Sequence, residues 1–161
     1  MRGLTRFADN RMKNITIRIA TDKDLPKVLE LYSHPEIDGD KVLKLAEART
    51  IFDKMKLYPD YNIYVAECAD EIVGTFSLAI MDNICHSGAK SGLIEAVVVS
   101  ENCQGQGVGK QMMDFAIEAC RAKSCYKVEL SSNIKRDMAH KFYEKIGFKF
   151  HGYSFLTEIK E

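Results

Sequence analysis

The sequence predicts a mixed α/β domain, and three observations carry that expectation. Segments with a strand period and segments with a helix period succeed one another in the order β-α-α-β-β-β-α-β-α-β(-β). A strongly β-branched run, Leu93–Val99, ends in a glycine-rich turn that opens into an amphipathic stretch. The 161 residues, 46% of them hydrophobic, suit one core of ordinary size and exclude disorder as the overall state. The expected architecture is a central twisted mixed sheet of about six to seven strands with helices on both faces.

The elements follow in order. Residues 1–14 read as a loose N-terminal tail and 15–161 as a single domain, because MRGLTRFADNR has no apolar period. Ile15, Ile17 and Ile19 alternate with polar residues as in a strand. Thr21 and Asp24 have the spacing of a capping box, and Leu25, Val28, Leu29 and Tyr32 follow on one helical face with Pro26 in the first turn. SHPEIDGD (33–40) is a loop, and Lys41–Lys56 is expected to be the second helix. Ile63–Cys68 and Ile72–Ile80 form a hairpin turning at Ala69-Asp70-Glu71. After the polar loop 81–92 comes the run Leu93–Val99, in whose alternation Glu95 shares a side with Val97 and Val99. A helix from about Lys110 to Lys123, a strand Tyr126–Leu130 and a helix carrying Ala139, Phe142, Tyr143 and Ile146 follow, with Gly147 as its stop. Phe148–Phe155 is expected to add one or two last strands.

Charge and composition exclude several functions. The 23 Lys and Arg balance 23 Asp and Glu, which speaks against a general nucleic-acid partner. No apolar run approaches the roughly 20 residues of a membrane span, and no secretory signal is present, so a cytoplasmic protein is expected. Cys68, Cys85, Cys103, Cys120 and Cys125 lack C-x-x-C spacing, and the four histidines are scattered. Free thiols and no metal site are therefore expected.

The informative segment is Gln104-Gly105-Gln106-Gly107-Val108-Gly109-Lys110. Backbone N–H groups at the start of a helix attract anionic oxygen, and glycines let phosphate approach closely. It is not a P-loop, since Gln104 stands at the first glycine position and Gln111 follows Lys110; nor is it a dinucleotide fingerprint, which would need glycine in place of Lys110. The pattern Q-x-x-G-x-G resembles the acyl-CoA pyrophosphate loop of the GNAT N-acetyltransferase superfamily. Ala139-His140-Lys141-Phe142-Tyr143-Glu144-Lys145-Ile146-Gly147-Phe148 is similar to a second segment of that family, and Ile17–Leu25 resembles its first strand and helix start.

The resemblance implies the GNAT fold, acetyl-CoA as co-substrate and an acetyltransferase activity. It implies that the backbone of Val97, Val98 and Val99 pairs with the pantetheine arm. It also implies that Gln104, Gly105, Gln106, Gly107, Val108, Gly109 and Lys110 surround the pyrophosphate. Tyr143 stands where the family often has the acid that protonates the departing thiolate, a role suited to a phenol with a pKa near ~10; it also lies on its helix's apolar face. Glu95 is the candidate base, because a carboxylate inside an apolar strand needs solvent or a partner, and Glu129 is the second choice. The family's asparagine position, seven residues before the tyrosine, holds Arg136, so the cofactor contact passes to Asn133.

The acceptor is expected to be a small primary amine. The stretch Glu129–Tyr143 resembles a subset that includes aminoalkylphosphonate N-acetyltransferases, in which Lys135, Arg136 and His140 would meet an anionic group. The acids Glu36, Asp38, Asp40 and Asp82 in the loops would instead attract a cationic amine. A protein or peptide acceptor and a non-catalytic acyl-CoA-binding module remain as alternatives, and the family implies a possible homodimer.

Overall fold

The structure, a computed structural model, describes residues 14–159, so the expected tail lies outside the described residues except for Asn14. The chain forms two compact units that divide after Glu129. The first is built on a five-stranded sheet: β1 (Thr16–Ile19), β2 (Tyr61–Cys68), β3 (Glu71–Met81), β4 (Lys90–Val99) and β5 (Cys125–Leu130). Sheet order equals chain order, and β1/β2, β2/β3 and β3/β4 pair antiparallel.

Helices α1 (Leu25–Tyr32) and α2 (Leu45–Met55) connect β1 to β2, and α3 (Val108–Ala122) connects β4 to β5. Leu25 and Val28 of α1 and Phe52 of α2 cluster with Ala20, Ile63 and Val65 on one face of the sheet. The expected i, i+3 spacing thus faces the core. Helix α3 brings Met112 against Gly74, where an added Cβ would lie 2.8 Å from the Met112 sulfur. It also sets Phe115 beside Tyr64, itself stacked on Phe76 at 5.2 Å. Phe76, Leu78, Ile94, Met112 and Met113 are fully buried, each contributing about 2 kcal/mol by leaving water.

The start of α1 is tied to the sheet. Asp24, 7% exposed, accepts a two-pronged bond from Arg18 at 2.7 and 3.0 Å and another from the Thr21 N–H at 2.7 Å. Arg18 also binds Glu67 of β2 at 2.6 Å, so one guanidinium joins β1, β2 and α1. The guanidinium holds the Asp24 carboxyl at about 2, below its usual value. Only half of the capping box forms as expected, since the Thr21 hydroxyl donates to Asp24 instead of capping a helical N–H. The second helix starts later than its periodicity suggests: Lys44 is extended, its N–H donating to Glu47 at 3.3 Å, and Leu45 opens the helix.

The second unit contains α4 (Asp137–Lys145), ended by Gly147 at φ 102°. The strands expected over Phe148–Phe155 are absent; residues 148–159 form no ladder, and the sheet has five strands where about six to seven were expected. A strand period needs a neighbour for its N–H and C=O groups before it becomes a strand. Phe150, Tyr153, Phe155 and Leu156 are 77–93% exposed.

Candidate active site

The centre of the first unit is a break in β4. Thr75 pairs with Val98 but Ser77 pairs with Glu95, so three residue steps of β4 face two of β3. The extra residue is accommodated by Ala96, whose φ of 50° lies in the left-handed region that alanine normally avoids. The bulge leaves backbone groups at Ala96–Val97 without their regular ladder partners. It also overturns the expected alternation. Thr75 and Ser77 share a face, so Glu95 shares that face with Val98, while Val99 pairs with Gly74 on the other. The Glu95 side chain is exposed, and its carbonyl accepts from the buried Ser77 hydroxyl at 3.3 Å.

The glycine segment leaves the end of β4. Ser100 N–H donates to Val73 O at 2.9 Å, and Cys103 N–H returns to Ser100 O at 2.8 Å. The Gln104 amide donates to Val99 O at 3.1 Å, and the Gln106 amide to Asn102 O at 2.7 Å. Both glutamine side chains therefore brace the loop. Gly105 (φ 71°) and Gly107 (φ 87°) turn the chain into α3, and nothing lies within 4 Å of the position of an added Cβ at either. The N–H groups of Val108, Gly109 and Lys110 precede the first helical bond, Gln111 N–H to Gly107 O, and belong to the unpaired first turn. Val108 is buried, 1% exposed, and anchors the turn in the core, while Gly105, Gln106 and Gly107 before it are exposed. Lys110 pairs with Asp114 one turn on, at 2.6 Å.

An open cradle of N–H groups at a helix start, next to a strand edge freed by a bulge, fits an extended ligand with an amide-bearing arm and an anionic end. A model of the acetyltransferase (GNAT) family matches residues 25–148. The chain belongs to the GNAT family. Over 142 residues it is 32% identical to glucosamine 6-phosphate N-acetyltransferase of Trypanosoma brucei brucei, covering 86% of this chain and 91% of that one. Over 93 residues it is 36% identical to aminoalkylphosphonate N-acetyltransferase of Salmonella typhimurium, covering 58% of this chain and 60% of the relative. The crystal structure of glucosamine-6-phosphate N-acetyltransferase from Arabidopsis thaliana superposes with a TM-score of 0.78 at 26% identity, covering 91% of this chain and 99% of that one.

The other expected GNAT residues have defined surroundings. Glu129 on β5 is bridged by Lys127 at 2.6 Å, and Glu95 on β4 is exposed. In the second unit, Tyr143 packs between Phe142 and Phe148, with ring centroids 5.1 and 5.8 Å away. Burial raises the Tyr143 phenol above its usual pKa, and the positive charge of Arg136 partly opposes this, so it carries its proton at neutral pH. Asn133 is used locally: its Oδ1 accepts from Lys135 N–H at 3.0 Å, and its carbonyl accepts from Arg136 N–H at 2.9 Å. His140 Nε2 lies 3.0 Å from the same carbonyl.

The sequence reading missed the bulge at Ala96, since alanine carries no mark of a left-handed backbone. It also missed the polar pair Thr75 and Ser77 beneath it, whose signal was available as two hydroxyls inside the apolar run Gly74–Ile80. Among the described residues no cluster of His, Cys, Asp and Glu could hold a metal ion, and no helix is long and apolar enough to cross a membrane.

Proposed function

We propose that this GNAT protein transfers the acetyl group of acetyl-CoA to the primary amine of a small molecule that also bears a phosphate or phosphonate group. One observation carries the acceptor class: the two named relatives act on glucosamine 6-phosphate and on aminoalkylphosphonates, which share an amine and a phosphorus oxyanion. The cationic stretch Lys135, Arg136 and His140 is the complement this chain offers to that anion.

In this reading the backbone of Val97, Val98 and Val99 aligns the pantetheine arm, and the amides of Gly105 through Lys110 hold the pyrophosphate. Gln104 and Gln106 act by bracing the loop, and Asn133 by shaping the turn before α4. Lys110 meets phosphate only by leaving Asp114. An ammonium ion is not a nucleophile, so Glu95 takes a proton from it, directly or through water. The free N–H at the bulge polarises the thioester carbonyl as the amine attacks. Tyr143 then gives its proton to the departing thiolate. The chain is expected to work in the cytoplasm, in keeping with its free thiols, and as a homodimer, which would cover the exposed Phe150, Tyr153, Phe155 and Leu156.

Release of free thiol from acetyl-CoA tests this, with glucosamine 6-phosphate, aminoalkylphosphonates, unphosphorylated amino sugars, polyamines and lysine peptides as acceptors. Preference for the phosphorus-bearing amines is expected. Equal turnover of glucosamine and its 6-phosphate would remove the anion from the proposal, and turnover of peptides alone would replace the small-molecule reading.

A further inference from the structure

Helices α1 and α2 do not close fully on each other. Between them and β2 lies a cavity of about 170 Å³, far larger than the water-sized voids of an ordinary core. Val28, Phe52 and Ile63 of the core line it from within, and Leu43 and Ile51, 42% and 44% exposed, line it where it meets solvent. Ala48 helps to leave the space: it is buried on the inner side of α2, one turn before Phe52, and carries only a methyl group. Charge in the cavity is one-sided. Among the described residues of the lining, Asp38 is the only charged one and Tyr32 the only other polar one. The loop after α1 holds Asp38 in place, its N–H donating to Tyr32 O at 3.1 Å and its carbonyl accepting from Lys41 N–H at 3.0 Å. Burial pushes the Tyr32 phenol up to about 12, so Tyr32 stays neutral beside the acid. The cavity is separate from the site proposed for acetyl transfer. Ile63 on β2 pairs with Ser77 on β3, which pairs with Glu95 on β4, so Ile63 stands two strands, about 10 Å, from Glu95.

We propose that this cavity is a binding site for a small amine bearing one aromatic ring, the ring in the apolar interior and the ammonium at Asp38. Size sets the ring, since an apolar cavity of roughly 150 Å³ stays dry and takes up benzene. The lining offers almost nothing to a sugar or a phosphate, whose polar groups would lose water without gaining hydrogen bonds. Asp38 sets the sign. A carboxylate at the mouth, with no Lys, Arg or His among the described lining residues to neutralise it, favours a cation over an anion. Its advantage over an uncharged ring is smaller, because Asp38 is exposed and water screens it. The ring supplies the affinity and the carboxylate the selectivity. A bound ring would touch α1, α2 and the loop between them, tying together the two helices that connect β1 to β2. The ligand is not the phosphorus-bearing acceptor proposed above, and the site stands whether or not that reading does.

The test needs no acetyl-CoA. Benzylamine is titrated into the methyl-labelled full chain and followed by NMR, with toluene, benzoate and ethylamine as comparisons. The expected result is saturable binding of benzylamine that moves the methyl signals of Leu29, Leu43 and Ile51. Val98, which shares a sheet face with Glu95, should stay unmoved. Benzoate should bind at least ten-fold more weakly, and ethylamine, which lacks the ring, should not bind measurably. Asp38→Asn should weaken benzylamine several-fold, to the affinity of toluene, and leave toluene unchanged. Ala48→Leu fills the cavity and should abolish binding of both rings. Leu29→Phe fills it from α1 and takes its place if a thermal melt shows Ala48→Leu unfolded. Absence of benzylamine binding would overturn the proposal, as would equal binding of benzoate or an Asp38→Asn variant with unchanged affinity. So would shifts centred on Val98, or binding that survives in a folded cavity-filled variant.

Discussion

Ala96 shows how much one residue's backbone can decide. Its left-handed φ of 50° is what lets three steps of β4 face two of β3. Glycine tolerates that angle freely, so Ala96→Gly should stabilise the fold by about 1 kcal/mol, read as a higher denaturant midpoint, provided the bulge persists. A second prediction concerns Tyr143. The phenylalanine variant should lose about 100-fold or more in kcat, as expected for removal of a general acid, with the KM for acetyl-CoA changed less than about two-fold. Equal loss in both would make Tyr143 a packing residue among Phe142 and Phe148. Asp24 supplies the pH dependence. Its folded pKa of about 2 lies below the unfolded 3.8, so its contribution is complete above pH 4 and is lost as the pH falls through 2. Asp24→Asn should remove about 2 kcal/mol at neutral pH and flatten the acid limb of a thermal-melt series between pH 4 and 2.

Among the elements, the glycine loop makes the sharpest prediction. Gly107→Glu should abolish acetyl-CoA binding by titration calorimetry, since it puts bulk and negative charge into open space at the helix start. Gly107→Ala shares the strain of φ 87° without the charge and should weaken binding far less. The turn from β4 into α3 was legible in the sequence because the positive φ of Gly105 and Gly107 calls for glycine. The β2–β3 hairpin was legible for the same reason, Ala69 and Asp70 taking the positive φ of a tight turn between two β-rich runs. Elements whose form depends on distant partners were not legible. The Glu95 alternation failed because a bulge is set by cross-strand register, which no local spacing encodes. Phe148–Phe155 has the apolar content of a strand but no ladder partner in the structure, and so forms none. Lys110 had its acid at i+4 in plain view, yet a phosphate contact and a helical ion pair both suit a lysine at a helix start.

For the whole molecule, the order of elements through α4 agrees with the periodicity and the family with the motifs that resembled it, while the acceptor depends on side chains that periodicity says nothing about. The exposed aromatics of residues 150–156 belong to this scale as well. Replacing Phe155 and Leu156 by serine should convert a dimer to a monomer in light scattering, with little change in the melting temperature of the five-stranded unit. A monomeric wild type would refute the dimer directly. The sheet's order has one more consequence. Since β2, β3 and β4 are neighbours in both chain and space, each can add to its predecessor as it leaves the ribosome, without waiting for later sequence. The meander can thus form before α3 and β5 have left the ribosome, and a nascent chain stalled once Val99 has cleared the exit tunnel should already protect the amides of β2 and β3 from exchange.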